Sequence, residues 1–220
     1  MSKKLLPLFL LVSLFFMVVN CNAGTTGTAP PHHSFYAGAL GGFGSTTWKG
    51  LVPTKENQNM ALILSTPIEV TEGGGVWGLF TGYEFSPYFA IEASYIRYPE
   101  AKVFFDSMSL FSFNNDGKIE LHTKTETVNL MGKIMLQIPN SKIRVYSSAG
   151  IADVHRDDFL INQWLISPTF GAGLNYRLTD HLMTELGANY TAGFGESQLE
   201  PTSSYIPFLY SVSIRVAYLF

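Results

Sequence analysis

The sequence predicts an all-β chain, an eight-stranded antiparallel up-and-down transmembrane β-barrel. Three observations carry that expectation. Eight segments alternate with a period of two, the pattern of strands whose faces meet different surroundings. Connections are long after the first, third, fifth and seventh strands and short after the second, fourth and sixth, the sorting that separates the two sides of a membrane barrel. The greasy face of each strand is the one such a barrel turns outward, which leaves small or polar residues for the interior.

The 220 residues include 14% charged, 14% aromatic and one cysteine. A net charge of −3 gives no basic footprint, which argues against nucleic acid as a partner. Lys3 and Lys4 precede an apolar run from Leu5 to Val19, and Cys21-Asn22-Ala23 supplies small residues for cleavage. A run of about fifteen residues is short for a membrane helix of about twenty and fits the core of an export signal. Residues 1–23 are therefore expected to be a signal peptide, and residues 24–220 an outer-membrane barrel domain. Cleavage removes Lys3 and Lys4, so 12 basic residues face 17 acidic ones, a net of −5, and no thiol remains for a disulfide. Lipidation at Cys21 is the rival processing, although Val18-Val19-Asn20 lacks the small residue that route favours before the cysteine. No other apolar run reaches the length of a membrane helix, which leaves a soluble periplasmic protein or a barrel.

After a polar lead containing His32 and His33, the first strand places Phe35, Ala37, Ala39, Gly41 and Phe43 on one face. Residues 45–75, with Pro53, Pro67 and a triple glycine, read as a long loop. The second and third strands form a hairpin from Val76 to Tyr98 around Ser86-Pro87-Tyr88. Its greasy face carries Trp77, Leu79, Thr81, Tyr83 and Phe85, then Phe89, Ile91, Ala93, Tyr95 and Arg97. Residues 99–121 read as the second loop. The fourth strand, about His122 to Gln137, turns Val128, Leu130, Ile134 and Leu136 outward. Pro139-Asn140-Ser141 leads into the fifth strand, with Ile143, Val145 and Ile151 on one face and Arg144, Tyr146 and Ser148 on the other. Residues 153–162 read as a charged loop. The sixth strand sets Phe170, Leu174 and Tyr176 outward, with Asn175 and Arg177 inward. Thr179-Asp180-His181 turns into the seventh, where Leu182, Leu186 and Tyr190 face out and Glu185 faces in. A fourth loop, 194–207, precedes the last strand, with Tyr210, Val212, Ile214, Val216, Tyr218 and Phe220 outward. Pairing of the last strand with the first would leave no free edge.

Aromatic positions are expected in two belts, as where rings rest at headgroups. Phe35, Tyr83, Phe85, Phe89, Tyr176, Tyr218 and Phe220 lie toward the short turns; Phe43, Trp77, Tyr95, Tyr190 and Tyr210 lie toward the long loops.

With these segments in place, the chain resembles the transmembrane domain of outer membrane protein A and its small eight-stranded relatives. FYAGALGGFG at Phe35 to Gly44 resembles the family's first strand, and GLFTGYEFSPYFAIEASY at Gly78 to Tyr95 its second hairpin. SPTFGAGLNYRLTDHL at Ser167 to Leu182 is similar to the sixth strand and following turn. The resemblance implies that the closing VSIRVAYLF, with Tyr218 and the final Phe220, is the signal read by the barrel-assembly machinery. It also implies an integral outer-membrane protein in contact with membrane lipid and lipopolysaccharide. Nothing follows Phe220, so the peptidoglycan-binding domain of full-length relatives is not expected.

An eight-stranded barrel has a lumen that side chains fill. Glu92, Lys133, Glu185 and Arg215 point inward by parity, about five or six residues from the short-turn ends, and so share one layer at ~3.3 Å per residue. Glu92 and Lys133 are on adjacent strands, as are Glu185 and Arg215, and two buried ion pairs forming a plug are expected. In the family a corresponding network is implicated in a closed-to-open switch. The resemblance carries this onto Glu92 and Lys133, but the family shows an arginine where this chain has Glu185 and a glutamate where it has Asn175. Arg97 faces lipid by parity near the outer rim, where it can snorkel.

Catalysis would need a nucleophile within reach of a base. His122, His155, Ser203 and Ser204 are the rim candidates for a lipid-modifying enzyme, and no local spacing links them. Asp153 to Asp158 resembles a solvated loop more than a cation site, and Gly73-Gly74-Gly75 lacks the Lys-Ser/Thr of a phosphate loop. No catalytic residue, metal or cofactor is implied. The leading expectation is a non-enzymatic barrel whose loops at 45–75, 99–121, 153–162 and 194–207 contact host or envelope partners, with Val103-Phe104-Phe105 and Leu110-Phe111 making the second unusually apolar. A narrow gated pore is the alternative, and a lipid-modifying enzyme a more distant one.

Overall fold

Backbone N–H and C=O groups point sideways from a strand, so a sheet crossing lipid is stable only when its two edges meet. In the computed structural model of the chain, which describes residues 35–48, 66–193 and 205–220, they do. The expected signal peptide with Cys21, the lead with His32 and His33, and residues 49–65 and 194–204 of the first and fourth loops lie outside the described residues.

The barrel strands are β1 (Phe35–Thr46), β3 (Gly74–Ser86), β4 (Phe89–Arg97), β6 (Glu120–Gln137), β7 (Ile143–Asp157), β8 (Asn162–Arg177), β9 (Leu182–Thr191) and β10 (Leu209–Leu219). Each pairs antiparallel with its neighbour around the ring. β1 closes it on β10 from Tyr36↔Leu219 to Thr46↔Leu209, and Phe220 N donates to Phe35 O at 3.0 Å. The fold is a closed, eight-stranded antiparallel β-barrel. Its outward face is apolar: Ile214 is 64% exposed, Leu136 63% and Leu79 58%. Water would penalise such a band on all sides, whereas hydrocarbon favours it.

The expected inward parities hold, but the expectation that every inward face is small or polar does not. Tyr36, Leu40, Phe80, Ile96, Met135, Tyr146, Met183 and Leu219 are all buried. Eight strands enclose a space that must be filled, and large rings fill it by lying over glycines. A Cβ on Gly82 would sit 2.3 Å from the Tyr36 ring, and one on Gly187 would sit 2.3 Å from the Tyr146 hydroxyl. The two rings occupy the room those side chains would need.

Three loop expectations are also corrected. Within 45–75, β1 continues to Thr46, a short β2 (Glu69–Thr71) forms, and β3 starts at Gly74. Within 99–121, β5 (Ala101–Phe104) pairs with both β2 and the outer end of β6, and a five-residue α1 (Leu110–Asn114) follows, its first turn capped by the Ser109 hydroxyl accepting from Ser112 N. Segment 153–162 is mostly strand, since β7 runs to Asp157 and β8 resumes at Asn162. In the first, Ser45, Thr46, Gly74 and Gly75 carry no greasy side chain to show the alternation; in the other two the reason is different. Alternation continues beyond the apolar band, but the outward residues there meet water and are charged, so the strands look like loops by composition. Val103, Phe105, Phe111, Leu121 and Trp48 form a separate small core under this extension.

The lipid-facing assignment has a sharp consequence. Ile214→Lys should destabilise the folded protein in bilayers by about 2–4 kcal/mol in a denaturant titration. A soluble barrel would tolerate the same change at an exposed position almost without cost.

Candidate functional site

The lumen charges come from β4, β6, β9 and β10. Glu185 and Arg215 are direct register partners, while Lys133 lies two residues along β6 from Met131, the partner of Glu92. All four side chains are at most 3% exposed. Lys133 Nζ lies 3.3 Å from Glu92 Oε2 and 2.6 Å from Glu185 Oε1. Arg215 Nη2 lies 2.5 Å from Glu92 Oε1, and its Nη1 lies 2.9 Å from Glu185 Oε2. The two adjacent-strand pairs are thus linked across the lumen into a closed ring of alternating sign.

Uncharged side chains complete the layer. Tyr36 Oη donates to Glu92 Oε2 at 3.0 Å, and Asn175 Nδ2 donates to Glu185 Oε1 at 2.8 Å. Lys133 Nζ stands 4.0 Å above the centre of the Tyr146 ring, and Arg215 Cζ 3.9 Å above that of Phe80. Aromatic faces attract cations, most strongly where water is excluded.

Arg144 and Arg177 fall on inward faces by parity, and Glu84 lies on the face of its strand opposite Tyr83 and Phe85. They form a second layer nearer the short turns, where Glu84 Oε1 meets Arg144 Nη2 at 2.7 Å and Glu84 Oε2 meets Arg177 Nη2 at 2.8 Å. Arg144 also donates to Asn175 Oδ1, which ties the two layers together. Parity was the available signal, and it was the same signal that found the upper ring.

A third group closes the outer end. Arg156, expected in a loop, is a buried residue of β7; its Nε donates to Asp158 Oδ2 at 2.7 Å and its Nη1 to Tyr205 O at 2.8 Å. Its guanidinium lies 4.9 Å from the Trp48 ring, which packs edge-on against Tyr205, while Trp48 N donates to Glu72 Oε2. Burial pushes the Tyr205 phenol up to about 12, with Glu72 adding to the rise.

The rim candidates are not brought together. His122 lies between Glu100 and Glu120, 2.7 Å from each, and His155 between Glu126 and Asn162. Ser203 and Ser204 lie outside the described residues. At the short-turn end, Tyr218 and Phe220 face outward, with ring centroids 5.1 Å apart.

Removing one member of a dry ion ring strands the others. Glu185→Ala should cost about 3–5 kcal/mol in detergent-denaturant titration. Replacing Lys133 and Glu185 together by methionine should cost less than the two single changes summed, which a double-mutant cycle reads directly.

This architecture agrees with three solved structures of membrane barrels. Neisserial surface protein A is 12% identical, with a TM-score of 0.51 over 84% of this chain and 97% of that one. Outer membrane protein OprG from Pseudomonas aeruginosa is 13% identical, with a TM-score of 0.52 over 86% and 98%. Outer membrane protein AlkL, solved in lipid bilayers, is 17% identical, with a TM-score of 0.52 over 91% and 96%. At such identities the likeness establishes the fold. No curated protein sequence matches significantly. Residues 9–218, nearly the whole chain, match the family described as outer membrane protein beta-barrel domain. The chain belongs to that family and is an integral outer-membrane β-barrel protein.

Proposed function

We propose that the protein is a non-enzymatic outer-membrane anchor whose barrel presents surface elements to a host or envelope partner. The observation that carries this reading is the contrast between a closed interior and an elaborated exterior. The lumen is sealed by side chains at most 3% exposed in its central ring. Beyond the apolar band, β6 runs outward from Glu126 to Glu120, about 20 Å of strand at ~3.3 Å per residue, and carries β5 and β2 beside it. Val103, Phe105 and Phe111 are used up in the core of this extension, but Met108 is 73% exposed, Leu110 52% and Phe113 84%. These apolar side chains crown the longest structured connection, where barrel proteins place their contacts.

In the same reading, residues 1–23 direct export, Tyr218 and Phe220 form the signal read by the assembly machinery, and the long connections face the exterior. Outer-leaflet lipid, including lipopolysaccharide, surrounds the barrel. A second reading, a narrow gated pore, has one observation in its favour. Each ring carboxylate already touches both cations, so partners can exchange without any charge being left alone.

Replacing the exposed Met108, Leu110 and Phe113 together by serine, which leaves the buried Phe105 and Phe111 in place, tests the reading. Adherence to host cells should fall several-fold, while planar-bilayer conductance and the heat-dependent gel mobility of the barrel stay unchanged. Unaltered adherence together with stepwise conductance in the parent protein would favour the pore.

A further inference from the structure

A neutral imidazole carries one N–H and one bare nitrogen, so it donates from one side and accepts on the other. His155, on the outward face of β7 and level with Glu126 above the apolar band, is placed where it must donate from both. Its Nδ1 lies 3.0 Å from Glu126 Oε1 and its Nε2 lies 3.1 Å from Asn162 Oδ1. Neither oxygen is free to become the donor. Glu126 also accepts from the Tyr95 hydroxyl, and the hydrogen bonds from Tyr95 and His155 hold its carboxyl below the usual range, so it stays ionised. Asn162 cannot turn its amide round without losing Asp157, because its Nδ2 donates to Asp157 Oδ1 at 2.9 Å.

The surroundings favour the doubly protonated ring. His155 stacks on its register partner Trp164, with centroids 4.4 Å apart and planes at 9°, which sets an imidazolium on an aromatic face. Asp153 and Asp157 flank it on β7, and Glu126 and Lys124 lie across the ladder on β6. Arg97 of β4 stands beyond Glu126 as its register partner, and β8 presents the uncharged Asn162 and Trp164. Burial disfavours the second proton. The hydrogen bonds to Glu126 and Asn162, with the charges of Glu126 and Asp157, outweigh it and hold the His155 pKa above the ordinary imidazole value.

These contacts form one chain, from Tyr95 to Glu126, His155, Asn162 and Asp157, which crosses β4, β6, β7 and β8. Next to its far end Asp158 shapes the hairpin turn, accepting from Leu160 N and Ile161 N and meeting Arg156 Nε. We propose that His155 is the proton-operated link of this chain, a clasp that fastens the β7–β8 hairpin to β6 while the ring is charged. Loss of the proton leaves a lone pair facing either Glu126 or Asn162, and the clasp opens at that joint. The folded protein holds this proton more tightly than the unfolded chain does. The clasp's contribution is therefore complete below about pH 6.5, the unfolded value, and is lost as pH rises through the folded value. Acid tightens the hairpin and alkali loosens it, whatever the outer extension binds.

A pH titration of the folded protein in detergent, followed by imidazole nitrogen NMR, tests it. His155 is assigned through its own backbone amide, so the titration of the parent needs no variant. Both ring nitrogens should carry protons at about pH 6.5, with the midpoint above that value. Glu126→Gln, which puts a neutral group in place of the carboxylate, should move the midpoint down. Trp164 gives a second signal, since a charged imidazole stacked on an indole quenches its emission more than a neutral one. Emission should rise with pH at the same midpoint in the parent and stay flat in H155Q and W164F. Amide exchange of residues 158–162, corrected for its intrinsic pH dependence, should quicken several-fold across that midpoint in the parent and not in H155Q. The clasp is refuted by a midpoint at or below the ordinary value, by parent emission that does not follow the midpoint, or by hairpin exchange that ignores it.

Discussion

Four charges held where water does not reach must neutralise one another, and the barrel is arranged around that requirement. An ion moved from water into a poorly polarisable interior loses several kcal/mol even after relaxation. Glu92, Glu185, Lys133 and Arg215 sum to zero, and each touches two partners of opposite sign. The layer is completed by Tyr36 from β1, Phe80 from β3, Tyr146 from β7 and Asn175 from β8. Every barrel strand thus supplies one side chain. The glycines follow from the same constraint, because Tyr36 and Tyr146 reach the charges only by lying across strands that have no side chain beneath them.

The outer surface answers to two solvents in sequence along the same strands. On β6, Leu136, Ile134, Leu130 and Val128 face out within the apolar band, and Glu126, Lys124, His122 and Glu120 continue the same parity above it. The inner face does not change character at that boundary, since Thr127, Thr125, Thr123 and Leu121 remain buried. The sheet therefore keeps its period while its outward chemistry switches. Arg97, Glu126 and His155 mark the switch on one side of the barrel, and Tyr190 and Tyr210 mark it on the other.

This also explains what was legible in the sequence. Period two, short polar turns and an apolar outer face gave the eight barrel strands, their order and the inward parity of all four ring charges. Two kinds of feature were hidden. The outer ends of β7 and β8 were hidden because Asp153, His155 and Asp157 have the composition of a loop, although Val154 and Arg156 between them are buried. The cross-lumen contacts were hidden because parity reports which way a side chain points and says nothing about reach. Lys133 to Glu185 and Arg215 to Glu92 join strands that are not neighbours, so only the closed barrel brings them within hydrogen-bond distance. The Trp48, Arg156 and Tyr205 group depends on residues distant in sequence for the same reason.

The arrangement of these groups bears on what the barrel can do. The Glu84 layer, the central ring and the Arg156 group lie in series along one lumen, and passage from one side to the other requires all three to move. Partner exchange could open the central ring at little electrostatic cost, but it would leave Arg156 fixed by Asp158 and Tyr205, with Trp48 packed against it. Contact through Met108, Leu110 and Phe113, by contrast, requires none of them to move. The interior that makes conduction demanding also makes the barrel a rigid base for its outer extension. A surface element presented from a fixed position loses less entropy when it binds than one carried on a mobile support, so in the proposed role the buried charges would serve the exterior by holding the wall in one shape.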